Sequence, residues 1–160
     1  MQQRPFDFPV ETQTYIRVPP ERVYDALTTA SDWDQWFTTG MTLDPKRGGA
    51  IHFRWKNWGP DQVTAEDHGT VIEAGRATIF AFQWTPVHGS PPTTVEMTLE
   101  PKWVGTILRL RENGYPDTPE GRKAILAAAT GWGEALTLLK FYLEHGVTYP
   151  KEPALAVSPV

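Results

Sequence analysis

The sequence predicts an α+β domain in which a curved antiparallel sheet packs against one long C-terminal helix. Most of the chain consists of short alternating segments separated by turns rich in Gly and Pro. Two short helical segments follow the first of these, and only residues 118–145 keep a helical period from end to end. A run of strands followed by a helix is typical of an α+β domain with the helix on one face of the sheet.

Length and composition narrow the class of protein further. The 160 residues suit a single core, and we expect one domain over residues 10–146, a flexible lead-in at 1–9 and a disordered tail at 147–160. The absence of cysteine excludes disulfides, thiolate metal sites and a cysteine nucleophile. The net charge of −4, with both signs interspersed, argues against a nucleic-acid partner. No apolar run or leader pattern indicates membrane insertion, so we expect a cytoplasmic protein.

The first strand and the two short helices are predicted from alternation and helix-start signals. Residues 10–18 alternate between apolar and polar side chains, as in a half-exposed edge strand. Pro19 and Pro20 end this strand and start a short helix. Ser31 is the expected N-cap of a second helix. One face of that helix is aromatic and consists of Trp33, Trp36 and Phe37.

The middle of the chain reads as antiparallel strands joined by turns. Alternation is found at residues 51–56, 67–73, 76–85, 94–100 and 106–112, with a turn at 57–61. Glycines at 48, 49, 69 and 75 are expected to bend the sheet around the helix. In the last hairpin, acidic side chains on one strand are expected to face arginines on the next, which favours antiparallel pairing.

The long helix has signals at both of its ends. Thr118 is a suitable N-cap, Pro119 fits the first helical position, and Gly146 fits the left-handed residue that ends a helix. Gly131 and Gly133 flank Trp132 inside the helix, where glycine is unfavourable. We expect these two glycines to allow close approach of the helix to the sheet. The apolar stripe consists of Ile125, Ala128, Ala129, Trp132, Leu136, Leu139 and Leu143.

Several of these segments resemble one known family. The runs IRVPPERVYDALTTASDWDQWF, DPKRGGAIHF and GWGEALTLLKFYLE are similar to the START-like helix-grip superfamily, also called SRPBCC. Within it they resemble the branch named after the activator of the heat-shock protein 90 ATPase. The resemblance extends from about Val10 to Glu144. It implies a helix-grip fold with a cavity between the sheet and the C-terminal helix.

If this cavity exists, the aromatic strand faces would line it. The predicted lining residues are Trp36, Phe37, Phe53, Trp55, Phe80, Phe82, Trp84, Met97, Leu108, Leu110, Trp132 and Leu136. Apolar walls with a few polar groups are typical of small-molecule pockets. The alternative interpretation is that the same side chains fill the core.

No residue pattern indicates catalysis or metal binding. The four histidines are scattered and lack the spacing of a metal motif. His68, with Glu66 and Asp67, is the nearest approach to an acid–base cluster. Ser31 and Ser90 are explained by a cap and a turn. The sequence therefore predicts no catalytic residue, no metal and no cofactor.

Three functions remain open at this level. The first is non-enzymatic binding of a small hydrophobic or aromatic molecule in the cavity. The second, implied by the resemblance, is a chaperone-associated stress accessory protein. The third is an enzyme of the cyclase or aromatase kind, which would require a polar group with a shifted pKa inside the cavity. Monomer and homodimer are both compatible with the sequence.

Overall fold

The computed structural model describes residues 4–149 as an α+β structure, with a seven-stranded sheet and a long C-terminal helix. The helices are α1 (Pro20–Thr28), α2 (Ala30–Trp36) and α3 (Pro119–His145). The strands are β1 (Val10–Ile16), β2 (Thr42–Leu43), β3 (Ala50–Trp58), β4 (Val63–Gly75), β5 (Ile79–Trp84), β6 (Thr93–Lys102) and β7 (Gly105–Asn113).

Every neighbouring pair of strands is antiparallel, and the order across the sheet is β1-β7-β6-β5-β4-β3-β2. Strand β1 forms one edge, as predicted, and α1 and α2 connect it to β2 at the other edge. The acids and arginines of the last hairpin also meet as predicted, with Arg109 Nη1 2.9 Å from Glu100 Oε2. The helix-grip fold class is therefore confirmed.

The core lies between one face of the sheet and the three helices, and it is unusually aromatic. Burying an aromatic ring removes about 150–250 Å² from water, so rings dominate the apolar area of this core. The C-terminal half of α3 closes the core through Leu136 and Leu139. The largest fully buried side chains include Trp33, Trp36, Phe53, Phe80 and Phe82.

Helix α3 begins and ends where the sequence predicts. The Thr118 side chain accepts a 3.0 Å hydrogen bond from Gly121 N, and Gly146 adopts a left-handed φ of 69°. Near the C-terminal end, Arg17 N donates to Glu144 Oε2 at 2.8 Å. The Tyr142 hydroxyl donates a hydrogen bond to Asp32 Oδ1 of α2. This end of the helix is therefore tied to both the chain after β1 and α2.

The expected role of Gly131 and Gly133 is wrong. A Cβ added to either residue would meet no atom within 4 Å, so neither glycine permits a close approach. The close approaches lie elsewhere in the chain. A Cβ at Gly69 would lie 1.9 Å from Gln83 O, and one at Gly49 would lie 2.1 Å from Asp44 O. Glycine is therefore required at these strand positions and at Gly121 in the first turn of α3, where a Cβ would lie 1.8 Å from Pro116 O, but not at Gly131 or Gly133.

Helix α2 starts differently from the prediction. It begins at Ala30, and the preceding residue, Thr29, makes no side-chain capping bond. Ser31 lies inside the first turn and is not the N-cap. The chain leaves α1 and enters α2 through the single extended residue Thr29, which leaves no room for a separate capping segment.

Three strand boundaries also differ. Strand β3 continues to Trp58, where the sequence predicted a turn, and β4 begins at Val63 rather than at residue 67. Strand β5 begins only at Ile79, because Ala77 has a φ of 62° in the turn before it. The two-residue strand β2 gave no alternation long enough to detect.

The two ends of the described region contact the domain. Phe6 N donates to Tyr115 O at 2.8 Å and Asp117 N donates to Arg4 O at 2.7 Å, where the sequence predicted a flexible lead-in. Tyr149 N donates to Gln35 O at 2.7 Å. Residues 1–3 and 150–160, which include most of the predicted tail, lie outside the described residues. Between residues 4 and 149, no helix has the length and apolar character needed to cross a membrane.

Candidate functional site

An apolar cleft of about 550 Å³ lies between the N-terminal half of α3 and the adjacent ends of β3, β4 and β5. Its volume is in the range of small-molecule sites, about 300–1,000 Å³. The lining residues are Phe37, Trp55, Trp58, Val63, Ala65, Trp84, Pro86, Tyr115, Ala124, Ala127, Ala128, Gly131, Trp132 and Glu134.

The aromatic part of the wall forms a continuous set of ring contacts. The ring of Phe37 packs edge-on against Trp55 and Trp58, with both centroid distances at 5.6 Å. It also lies 6.4 Å from Trp132, which in turn lies 5.6 Å from Trp84. Offset and edge-on arrangements are the favourable ones for aromatic pairs, so these rings hold one another in place.

Trp58 reaches the cleft because β3 contains an irregularity. Strict alternation would place Phe53 and Trp55 on one face and residue 58 on the other. The pairing with β4 shifts register between Trp55 and Trp58, and Asn57 has a φ of 52°. Such a bulge rotates the following side chain to the other face. The Trp58 indole nitrogen is buried, with no hydrogen-bond partner in the described region.

A buried glutamate lies behind the wall of the cleft. Glu112 is 0% exposed, and its Oε1 accepts a 2.8 Å hydrogen bond from Trp132 Nε1. Its Oε2 accepts from Trp84 Nε1 at 2.7 Å and from Thr93 Oγ1 at 2.5 Å. The carboxylate therefore receives indole donors from β5 and α3, which fixes the orientation of both rings. A buried carboxylate with several donors avoids most of the cost of desolvation.

Tyr115 completes this group. Its side chain is buried close to the same carboxylate, and it lines the cleft. Burial raises the pKa of Tyr115 strongly, and the negative charge of Glu112 raises it further. The Tyr115 phenol therefore stays protonated beside Glu112.

The predicted lining residues divide into two groups. Phe37, Trp55, Trp84 and Trp132 line the cleft. The other eight are buried in the core, each at most 3% exposed: Trp36, Phe53, Phe80, Phe82, Met97, Leu108, Leu110 and Leu136. They lie where α1, α2 and the C-terminal half of α3 fill the concave side of the sheet. These eight side chains therefore fill the core and do not line the cleft.

The roof of the cleft consists of small residues. Ala124, Ala127, Ala128 and Gly131 of α3 face the aromatic wall, and none of them is buried. This half of the helix has Gly121 as its only buried residue before Trp132 in the described region. Small side chains at these positions leave the space that a larger apolar residue would occupy.

Charged groups near the cleft are few. Asp67 lies on the inner face of β4, opposite Phe53 in the register, and half-burial raises the pKa of its carboxyl group. Asp67 does not line the cleft, and its neighbour Glu66 lies on the outer face of the sheet. Glu134 is the one ionisable carboxylate among the lining residues. The arrangement is suited to binding an apolar molecule.

The sequence contained a signal for Glu112 that the predictions overlooked. Thr106, Leu108 and Leu110 share one face of β7, and the same alternation places Glu112 on it. Acidic residues are rarely buried, so the residue type argues against an inward Glu112 even though its position in the strand favours one. Its partners Trp84 and Trp132 come from distant parts of the chain, and nothing local indicates that their indole nitrogens converge.

The fold and the cleft together define a START-like helix-grip protein. Residues 17–144 match the family of Activator of Hsp90 ATPase homolog 1-like proteins, and the chain belongs to that family. This confirms the branch that the sequence motifs indicated.

Solved structures show the same fold. The solution structure of the Aha1 dimer from Colwellia psychrerythraea is similar with a TM-score of 0.72 and 22% identity, over 86% of this chain and 97% of that one. A protein from Rhodobacter sphaeroides has a TM-score of 0.69 and 26% identity, over 89% and 98%. DynU16, from the dynemicin biosynthetic locus, has a TM-score of 0.74 and 18% identity, over 89% and 49%. No curated protein matches the chain.

Proposed function

We propose that the protein binds a small hydrophobic or aromatic molecule in the cleft under α3, without catalysing a reaction. The observation that carries this proposal is the aromatic wall whose two indoles are held by one buried carboxylate. The indole nitrogens of Trp84 and Trp132, their only polar side-chain atoms, both donate hydrogen bonds to Glu112. Their faces therefore offer apolar surface to a ligand, with no unsatisfied polar group.

A polar contact between the ligand and Trp58 would require a small movement of this ring, because its indole nitrogen is shielded from solvent. Trp58 lines the cleft and its indole nitrogen is buried without a partner in the described region. Buried donors are normally satisfied, so a ligand acceptor is a natural partner for this group. A ring system of aromatic character with one carbonyl or ether oxygen fits these requirements.

Blocking the cleft tests the proposal. The chain is titrated with the fluorescent probe anilinonaphthalene sulfonate, and Ala128→Phe is compared with wild type. Ala128 lines the cleft, so a benzyl group there fills it. We expect probe affinity to fall by about tenfold or more, equivalent to about 1.4 kcal/mol.

The matched control is the same substitution one residue further on. Ala129 is exposed and does not line the cleft, so Ala129→Phe should bind the probe like wild type. Thermal unfolding of both variants establishes that they are folded. Equal probe affinity in the two folded variants would contradict binding in the cleft. Native mass spectrometry of protein isolated from cells then identifies the retained ligand.

A second function, a chaperone-associated accessory role, is supported by the family match over residues 17–144. Its test is the ATPase rate of a heat-shock protein 90-type chaperone with and without the purified chain. Stimulation that saturates would support the role, and an unchanged rate at high micromolar protein would contradict it. Ala128→Phe should leave any stimulation intact if it depends on a surface other than the cleft.

A further inference from the structure

Two histidines and a glutamate lie together on the outer face of the sheet, away from the cleft. His52 of β3 is paired with His68 of β4, and Arg54 is paired with Glu66 in the same ladder. Their side chains share one face because alternate residues of a strand point the same way. The two imidazole rings stack with their centroids 3.9 Å apart.

The potential ligand atoms of these residues converge. One ligand atom from each of His52, Glu66 and His68 lies within 4.8 Å of the others. Nε2 of His52 is 3.5 Å from Oε1 of Glu66. Ligand atoms around a tetrahedral zinc ion, at about 2.0–2.1 Å from the metal, lie about 3.3 Å apart. The three ligand atoms would therefore have to move closer together for all of them to reach one zinc ion.

His52 provides a second, independent observation. Its Nε2 is shielded from solvent and has no hydrogen-bond partner among the described residues. Buried polar atoms are normally paired, because an unpaired one forfeits its hydrogen bond to water. A metal ion would satisfy this nitrogen through its lone pair.

Glu66 would be the anionic ligand, and Arg54 already holds its carboxylate in place. Arg54 Nε donates a hydrogen bond to Glu66 Oε1 at 2.9 Å. A ligating carboxylate commonly keeps a hydrogen bond to an outer partner that orients it. Arg54 can retain that contact while the carboxylate binds a metal.

We propose that His52, Glu66 and His68 form a zinc site with three protein ligands and one open position. Two histidines and one glutamate are an established donor set for Zn²⁺, and the open position would hold water. Imidazole and carboxylate together disfavour Ca²⁺ and Mg²⁺, which take oxygen ligands. The site is on the opposite face of the sheet from the cleft and does not depend on ligand binding there.

Zinc titration of the full, untagged and metal-stripped chain tests the site. We expect one equivalent of Zn²⁺ to bind in competition with a chromophoric chelator. His68→Ala and Glu66→Gln should each weaken this binding by more than about tenfold, since loss of even an outer-shell partner costs about 10–100-fold. Both positions are exposed, so these variants should fold. Co²⁺ should give a visible absorption band in wild type that His68→Ala abolishes.

The remaining two histidines are the matched controls. His88 and His145 are exposed, and His145 also has a glutamate neighbour, with Nε2 3.7 Å from Glu144 Oε1. His88→Ala and His145→Ala should leave zinc affinity unchanged. Equal weakening in these controls, retained binding in His68→Ala, or no zinc binding by wild type would each overturn the proposal.

Discussion

The indole nitrogen of Trp132 on α3 donates a 2.8 Å hydrogen bond to Oε1 of Glu112 on β7. This contact joins the helix to the sheet through a polar bond inside an aromatic core. It also fixes the face that Trp132 presents to the cleft. Stability and the shape of the candidate site therefore depend on the same carboxylate.

Replacing Glu112 with glutamine should destabilise the fold. Both carboxylate oxygens of Glu112 accept hydrogen bonds from indole or hydroxyl donors. In glutamine one of these oxygens is replaced by an NH₂ group, which would place a donor against a donor. We expect the free energy of unfolding in urea to fall by about 1–3 kcal/mol. Glu100→Gln, at an exposed position on the neighbouring strand, is the control and should change stability little. Equal effects of the two substitutions would contradict a structural role for Glu112.

Two substitutions at Trp132 separate the ring from its hydrogen bond. Trp132→Phe keeps an aromatic wall but leaves Glu112 Oε1 without the indole donor, so stability should fall by about 1–3 kcal/mol. We expect the affinity for anilinonaphthalene sulfonate to change less in this variant than in Trp132→Ala, which removes the wall. Trp103→Phe, at an exposed site, controls for the loss of an indole. If folded Trp132→Ala binds the probe like wild type, Trp132 is not part of the site.

Gly133→Ala should stabilise the protein. Gly133 lies inside α3, and an added Cβ would meet no atom within 4 Å. Alanine is favoured over glycine inside a helix, so the free energy of unfolding should rise by roughly 0.5–1 kcal/mol. The same change at Gly121 should have the opposite sign, because its Cβ would lie 1.8 Å from Pro116 O. A lower melting temperature for Gly133→Ala would show that this glycine has a role that the structure does not reveal.

Asp67→Asn should raise stability at neutral pH. Burial raises the pKa of Asp67 above its ordinary value of 3.8, so ionisation is less favourable in the folded state than in the unfolded chain. The wild type should therefore lose stability relative to the variant as the pH rises from about 3.8 through the higher folded-state pKa. Above that pH range the difference in the free energy of unfolding between wild type and variant is constant. Urea unfolding at pH 3 and pH 7 measures it.

The control for this experiment is Asp61→Asn, in the exposed turn after β3. A gain in stability at pH 7 that is equally large at pH 3 would show that the Asp67 effect does not arise from its ionisation.

The sequence was sufficient to predict the fold, and it identified part of the cleft lining: Phe37, Trp55, Trp84 and Trp132. The alternation of Phe80, Phe82 and Trp84 and the ends of α3 depend on local physics, so they were predictable. Trp58 entered the cleft through a bulge at Asn57, where strict alternation fails. Glu112 was missed because burial of a carboxylate depends on donors supplied by distant strands and a helix. These donors are brought together by the folded chain, and no local sequence pattern indicates that they lie close to one another.

Four small residues form the roof of the cleft: Ala124, Ala127, Ala128 and Gly131. None of these four residues is fully buried, whereas the wall opposite is joined to the core through Glu112. If the cleft binds a ligand as proposed, its selectivity and the stability of the fold depend on different residues. Substitutions at these few helix surface residues would then change which ligand shapes the cleft accepts. The same positions are the ones to vary in a redesign of the cleft.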